Sequence, residues 1–176
     1  MIREAAEFAE RAHEGVYRKG TKIPYITHPM ETAAIVTAFT NEPEMIAAAL
    51  LHDVIEDAGV TKEELEEKFG SRVAFLVESE SEDKSRSWME RKGTTVVHLK
   101  SATRDEKILA LADKLSNIRS TVRDYLVLGD EVWQRFNQKD KEMQGWYYKG
   151  VAEALKEFKG HIYYEEYLML CKKIFG

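Results

Sequence analysis

Residues 45–59 read MIAAALLHDVIEDAG, an apolar run that turns abruptly into a cluster of ionisable side chains. The opening residues are apolar on every side, which suits a helix buried all round rather than one lying on a surface. A helix is expected over 43–57, with Asn41 ahead of it as a cap. His52 and Glu56 stand four apart, as do Asp53 and Asp57, so on one continuous helix all four side chains project from one side. Carboxylates crowded at the end of a buried helix repel one another and need a partner, and a cation is the simplest one. The plainer alternative is a solvated polar face closing the helix.

The flanking segments continue the helical pattern. Ile2, Ala5, Ala6, Phe8, Ala9 and Ala12 recur at helical spacing and predict a helix over 2–14, ended by Gly15. GVYRKGTKIPYITHP (15–29) has two glycines, two prolines and no period of 3.6, and reads as a loop that delivers His28 to a helix beginning at Pro29. Thr61 with Glu64 forms a capping-box pattern, and Phe69-Gly70 closes that helix. Further helices are expected over 71–79, 86–101, 105–126, 130–136 and 139–158, with a last one ending at Phe175. Only Thr94 to Leu99 alternates like a strand. The polar run ESESEDKSRS (78–87) reads as a flexible loop or lid. These segments predict an all-α fold of eight or more helices forming a single domain over 1–176, with the helices after 125 packed on the core.

Composition narrows the function classes. The chain has 176 residues, 44% of them hydrophobic, with three prolines and a formal charge of −5. That is the make-up of a packed globular protein. No apolar stretch approaches the roughly 20 residues of a membrane helix, and MIREAAEF has no signal core, so a cytoplasmic protein is expected. Cys171, within YLMLCKKIF, is the single cysteine and reads as a small core residue. The acidic total gives no global field for nucleic acid, although a few cations in one cleft suffice for a small anionic substrate.

Two further segments can complete a metal site: His28 before Pro29, and Asp113, which interrupts the apolar face of KILALADKLSNIRS (107–120). Two histidines and two aspartates make a mixed nitrogen and oxygen set suited to manganese, iron or zinc with positions left for water and substrate. No cysteine-rich or H-E-x-x-H pattern competes with it.

The order H…HD…D resembles the ligand pattern of the HD-domain metal-dependent phosphohydrolases. RKGTKIPYITHP (18–29), the run AAALLHDVIEDAGVTKEELEEKFGSRVAFLV (47–77) and ILALADKLSNIRS (108–120) are similar to the hydrolase domain of the Rel/SpoT alarmone enzymes and their stand-alone relatives, over about residues 5–120. The resemblance implies hydrolysis of a nucleotide 3′-pyrophosphate such as ppGpp. By it His28, His52, Asp53 and Asp113 are the ligands of a divalent metal, usually Mn2+, and Glu56 with Asp57 orients or deprotonates the attacking water. It places Arg18 and Lys19 near base and phosphates, Asn117 at the nucleotide, and Lys84 at phosphate. Charge on the released pyrophosphate explains the need for a metal and cations. Read without the resemblance, Arg18 and Lys19 are a solvated turn and Asn117 is helix-surface polarity.

VESESEDKSRSWMERK (77–92) replaces the family's usual Val-Thr-rich stretch, and the chain after about residue 125 is only loosely similar. Lys141, Trp146 and Tyr147 are candidate counterparts of the family's basic and aromatic pocket residues. The departures leave room for another phosphorylated nucleotide or cofactor as substrate, or for a low-turnover nucleotide sensor. His13 reads as anchoring the loop through a hydrogen bond rather than as a metal ligand, while His98 and His161 have no acidic or histidine partner at ligand spacing. The aromatic C-terminal third reads as a core layer, with a stacking platform or homodimer surface as the alternative.

Overall fold

The apolar run around Leu51 does not continue as one helix. The protein, described over residues 1–176 by a computed structural model, contains α1 (Ile2–Ala12), α2 (Thr27–Val36), α3 (Pro43–Leu51), α4 (Val54–Ala58), α5 (Lys62–Phe69), α6 (Ser71–Glu80), α7 (Trp88–Ser101), α8 (Arg104–Leu128), α9 (Lys141–Ala154) and α10 (Ile162–Phe175). Short 3-10 segments occupy Gly129–Arg135 and Lys156–Phe158. The only extended pairing is an isolated bridge between Tyr17 and Pro24, and the all-α expectation holds. Thr94 to Leu99 lies inside α7. The expected helix over 43–57 is two helices with a turn at His52-Asp53. The predicted lid is shorter than expected, because its first three residues finish α6 and Ser87 caps α7 through a box with Glu90. The helix expected over 130–136 is the first 3-10 segment, and the one expected over 139–158 divides into α9 and the second.

The chain forms two compact units, Met1–Glu82 with Thr103–Asp113, and Asp83–Ala102 with Lys114–Gly176. In the first, α3 is the axis. Pro43 stands in its first turn, and Met45 together with Ala47 through Leu51 is buried. Helices α1, α2 and α6 pack against it, and the small alanines permit close helix approach. Gly59, at φ +69°, ends α4 in the left-handed conformation that a side chain would strain. Arg72 on α6 reaches Glu42 at 2.6 Å, Glu44 at 3.0 Å and Asp105 at 2.7 Å, tying the starts of α3 and α8 together. Thr103 caps α8 and donates through its hydroxyl to buried Glu106 at 2.6 Å.

In the second unit α7 and α10 pack on α9. A Cβ at Gly150 would lie 3.1 Å from Val96, so glycine there admits the neighbouring helix. The aromatic third forms core, as expected: the Trp133 and Phe175 rings stack at 5.6 Å, and the buried Tyr167 hydroxyl donates to the Tyr148 carbonyl at 2.9 Å. Cys171 is buried, and desolvation pushes its thiol up to about 12, which leaves it unreactive. No helix is long and apolar enough to cross a membrane.

Candidate metal centre

The loop between α1 and α2 is built rather than slack. Arg18 donates its backbone N–H to Ile23 and Tyr25 donates to Val16, both at 2.9 Å, while the Thr21 hydroxyl donates to the Arg18 carbonyl at 2.9 Å. Helix α2 begins at Thr27, two residues earlier than the proline suggests, so His28 sits in its first turn instead of ahead of it. Pro29 fits there because first-turn N–H groups lack helical partners.

Three elements of the first unit converge. His28 from α2, His52 from the end of α3 and Asp113 from α8 are 2%, 1% and 5% exposed, respectively, and their donor atoms all lie within 4.8 Å of one another. His28 Nε2 lies 3.2 Å from His52 Nε2 and 3.1 Å from Asp113 Oδ1. Asp53 joins through Oδ2, at 3.0 Å from His52 Nε2 and 3.5 Å from His28 Nε2. The break after Leu51 is what permits this: on one continuous helix adjacent residues diverge by about 100°, whereas the turn lets His52 and Asp53 address one point.

The donor set suits a divalent ion. Ligands at about 2.1 Å on adjacent octahedral positions stand about 3 Å apart, close to these separations. His52 Nδ1 donates to the Ala49 carbonyl at 2.8 Å, so Nε2 is the ring atom that faces the cluster. Burial lowers the pKa of His28. Burial acts the same way on His52, but the Asp53 and Asp113 carboxylates outweigh it and raise its pKa well above the usual value. Burial would raise Asp53, yet the nearby His52 holds its carboxyl well below the ordinary range. A proton on His52 thus balances the carboxylates in the metal-free protein, and a cation can take its place.

Glu56 and Asp57 stand in the first turn of α4. Glu56 is half-buried and accepts the backbone N–H of Glu82 at 3.3 Å; Asp57 is exposed and its N–H donates to the Asp53 carbonyl at 2.8 Å. Arg18 lies with its guanidinium 5.5 Å from the centre of the Tyr25 ring, and Lys19 follows it, exposed. Lys84 is exposed and Asn117 half-buried, and both belong to the second unit. In that unit Lys141 Nζ donates to the Tyr125 hydroxyl and to Asp130, each at 3.0 Å, and Lys92 Nζ lies 4.9 Å from the centre of the Tyr147 ring. Trp146 is exposed at 41% beside Trp88, 6.4 Å between ring centres.

One polar residue of the site was not singled out from the sequence. Tyr25 donates its hydroxyl to Asp53 Oδ2 at 2.6 Å, and burial followed by the Asp53 charge raises its pKa, so it is the donor. Its only signal was a tyrosine between the prolines of PYITHP. The side-chain hydrogen bond of His13 goes from Nδ1 to the Ala9 carbonyl of its own helix at 2.9 Å, not to the loop as expected, and its contact with the loop is ring stacking on Tyr25 at 4.7 Å.

Comparison with known proteins adds to this geometry. A family described as HD domain matches residues 5–139. The chain is 36% identical over 163 residues to guanosine-3′,5′-bis(diphosphate) 3′-pyrophosphohydrolase MESH1 of Xenopus tropicalis, covering 91% of this chain and 86% of that protein. It is 35% identical to the human protein of that name over the same shares. Among solved structures, one described as a metazoan ortholog of SpoT that hydrolyzes ppGpp matches with a TM-score of 0.82 at 26% identity, covering 98% of this chain and 94% of that one. The structure of lmo0812 from Listeria monocytogenes matches with a TM-score of 0.77 at 34% identity, covering 84% of this chain and 98% of that one.

Proposed function

The chain belongs to the HD-domain family, and from that premise we propose that it is a metal-dependent hydrolase that converts guanosine 3′,5′-bis(diphosphate) to GDP and pyrophosphate. The observation that carries the reading is the meeting of two histidine Nε2 atoms and two aspartate oxygens, each with neighbours at 3.0–3.6 Å, with Glu56 and Asp57 following Asp53 in the first turn of α4. His28, His52, Asp53 and Asp113 would hold the ion; the donor set suits manganese, iron or zinc, and the resemblance to the alarmone hydrolases favours Mn2+ among them. Such an ion, when bound, supplies Lewis-acid polarisation of the phosphoryl group and makes water acidic enough to attack near neutral pH.

The chain's own groups do the rest. Glu56, aided by Asp57, takes a proton from the attacking water, whose oxygen forms the new bond to the phosphorus attached to the ribose 3′-oxygen. The bond between phosphorus and the 3′-oxygen breaks, and the 3′-oxygen takes up the proton that Glu56 removed from the water. The Glu82 N–H fixes the Glu56 carboxylate. Arg18 and Lys19 neutralise phosphate charge, and Arg18 can also stack on a base. For Lys84 and Asn117 the assignment to phosphate and nucleotide rests on sequence resemblance. The substrate class is the one that MESH1 and the metazoan SpoT ortholog are named for.

Protein supplied with Mn2+ is to be incubated with ppGpp, ppApp and ordinary nucleotides, following released pyrophosphate and phosphate, with Asp53→Ala as control. Pyrophosphate from the 3′-pyrophosphate nucleotides alone, abolished in the variant, supports the reading and ranks the two bases. Phosphate from other nucleotides, or full activity in Asp53→Ala, overturns it.

A further inference from the structure

We propose that Tyr25 is a positioning residue, whose hydroxyl fixes the Asp53 carboxylate for a divalent ion while its ring seats Arg18. This inference rests on the metal-dependent reading above. The oxygen that accepts from Tyr25 at 2.6 Å is Asp53 Oδ2, the same atom that faces both histidine Nε2 atoms. A carboxylate at a helix break, one-fifth exposed, can otherwise present either oxygen by rotating about its side-chain bonds. The phenol selects one oxygen and orients it, as hydrogen bonds behind metal ligands generally do.

The donor is itself held from several sides. The His13 ring stacks on Tyr25 at 4.7 Å and 28°, the His28 ring meets it edge-on at 5.8 Å, and the Tyr25 N–H is bonded to Val16. His13 is 4% exposed and hydrogen-bonded to the Ala9 carbonyl, so its ring is held at both its nitrogen and its face. Arg18 lies 5.5 Å from the ring centre, within cation–π range. One residue therefore touches a metal-facing carboxylate through its hydroxyl and a phosphate-binding candidate through its ring. The two roles are separable, because phenylalanine keeps the ring and lacks the donor.

The test is calorimetric titration of metal-free protein with Mn2+ alone, for the native chain, Tyr25→Phe and Tyr25→Leu, alongside metal-free thermal unfolding and KM for ppGpp at saturating Mn2+. Tyr25→Phe is expected to bind Mn2+ about 10- to 100-fold more weakly, with a metal-free midpoint lowered by no more than the roughly 2–8 °C of one lost hydrogen bond and a KM within about twofold of native. Tyr25→Leu adds a rise in KM as Arg18 loses its seat. Mn2+ affinity within twofold of native in Tyr25→Phe overturns the inference, as does a loss accompanied by a fall in metal-free midpoint as large as that of Tyr25→Leu, since packing would then explain it. If the native chain binds no Mn2+, the metal reading falls and this inference with it. Weakened binding in Tyr25→Phe beside a native protein inactive on ppGpp refutes the substrate reading and supports the role of Tyr25.

Discussion

Replacing Asp113 with asparagine tests the metal reading with the least disturbance of shape. Asp113 is 5% exposed, and its Oδ1 lies 3.1 Å from His28 Nε2 and 3.6 Å from His52 Nε2. Asparagine keeps the size and one oxygen but removes the charge. In the metal-free protein the loss is limited, because the raised pKa of His52 depends on two carboxylates and His52 can release its proton when one is gone. A cost of about 1–2 kcal/mol is expected, or roughly 2–8 °C in midpoint for a chain of this length.

Metal exposes the larger difference. At a Mn2+ concentration of about 100 times the native Kd, binding stabilises the native protein by about 2.7 kcal/mol, which corresponds to a rise of roughly 5–11 °C. If losing one anionic ligand weakens binding at least 100-fold, the variant gains only about 0.4 kcal/mol at that concentration, a rise of about 1–2 °C. Differential scanning fluorimetry with and without Mn2+ reads both numbers, and release of pyrophosphate should fall in parallel. A Mn2+-dependent rise in Asp113→Asn equal to that of the native protein would refute the assignment of Asp113 as a ligand.

Three other outcomes follow from the same geometry. Because metal displaces the proton held by His52, Mn2+ affinity is expected to weaken by about tenfold per unit as pH falls below the raised His52 pKa and to level off above it; a flat titration profile from pH 5 to 8 would contradict this. Glu56→Gln keeps an acceptor for the Glu82 N–H but cannot take a proton, so kcat is expected to drop about 10²- to 10⁴-fold with unchanged Mn2+ affinity, read by steady-state kinetics and titration. Arg72→Ala, which breaks three ion pairs on a side chain 39% exposed, should cost only about 1 kcal/mol and less in high salt, measured by urea unfolding.

Much of the site was legible because its residue types are anomalous where they stand. His52 and Asp53 follow a run suited to full burial, and Asp113 interrupts an apolar face, so each signals a need for a partner from the sequence alone. Helix boundaries were less legible. The break after Leu51 leaves no glycine or proline in the sequence, since His52 and Asp53 are held there by the cluster rather than by local preference. Tyr25 was hidden for a related reason: a tyrosine in a loop between prolines looks like packing until its hydroxyl is found on Asp53.

The sequence by itself determined the helical class, the apolar character of α3 and the identities of the candidate donors, because hydrophobic period and residue chemistry are local properties of the chain. The tertiary structure decided which atoms meet. His28 in α2, His52 in the turn after α3 and Asp113 in α8 are distant in sequence, and only chain folding, which packs α2 on α3 and includes Asp113 in the same unit, sets their donor atoms within 4.8 Å. Which Asp53 oxygen faces the histidines, and that Tyr25 holds it there, are likewise consequences of chain folding, since contacts between residues distant in sequence leave no trace in spacing.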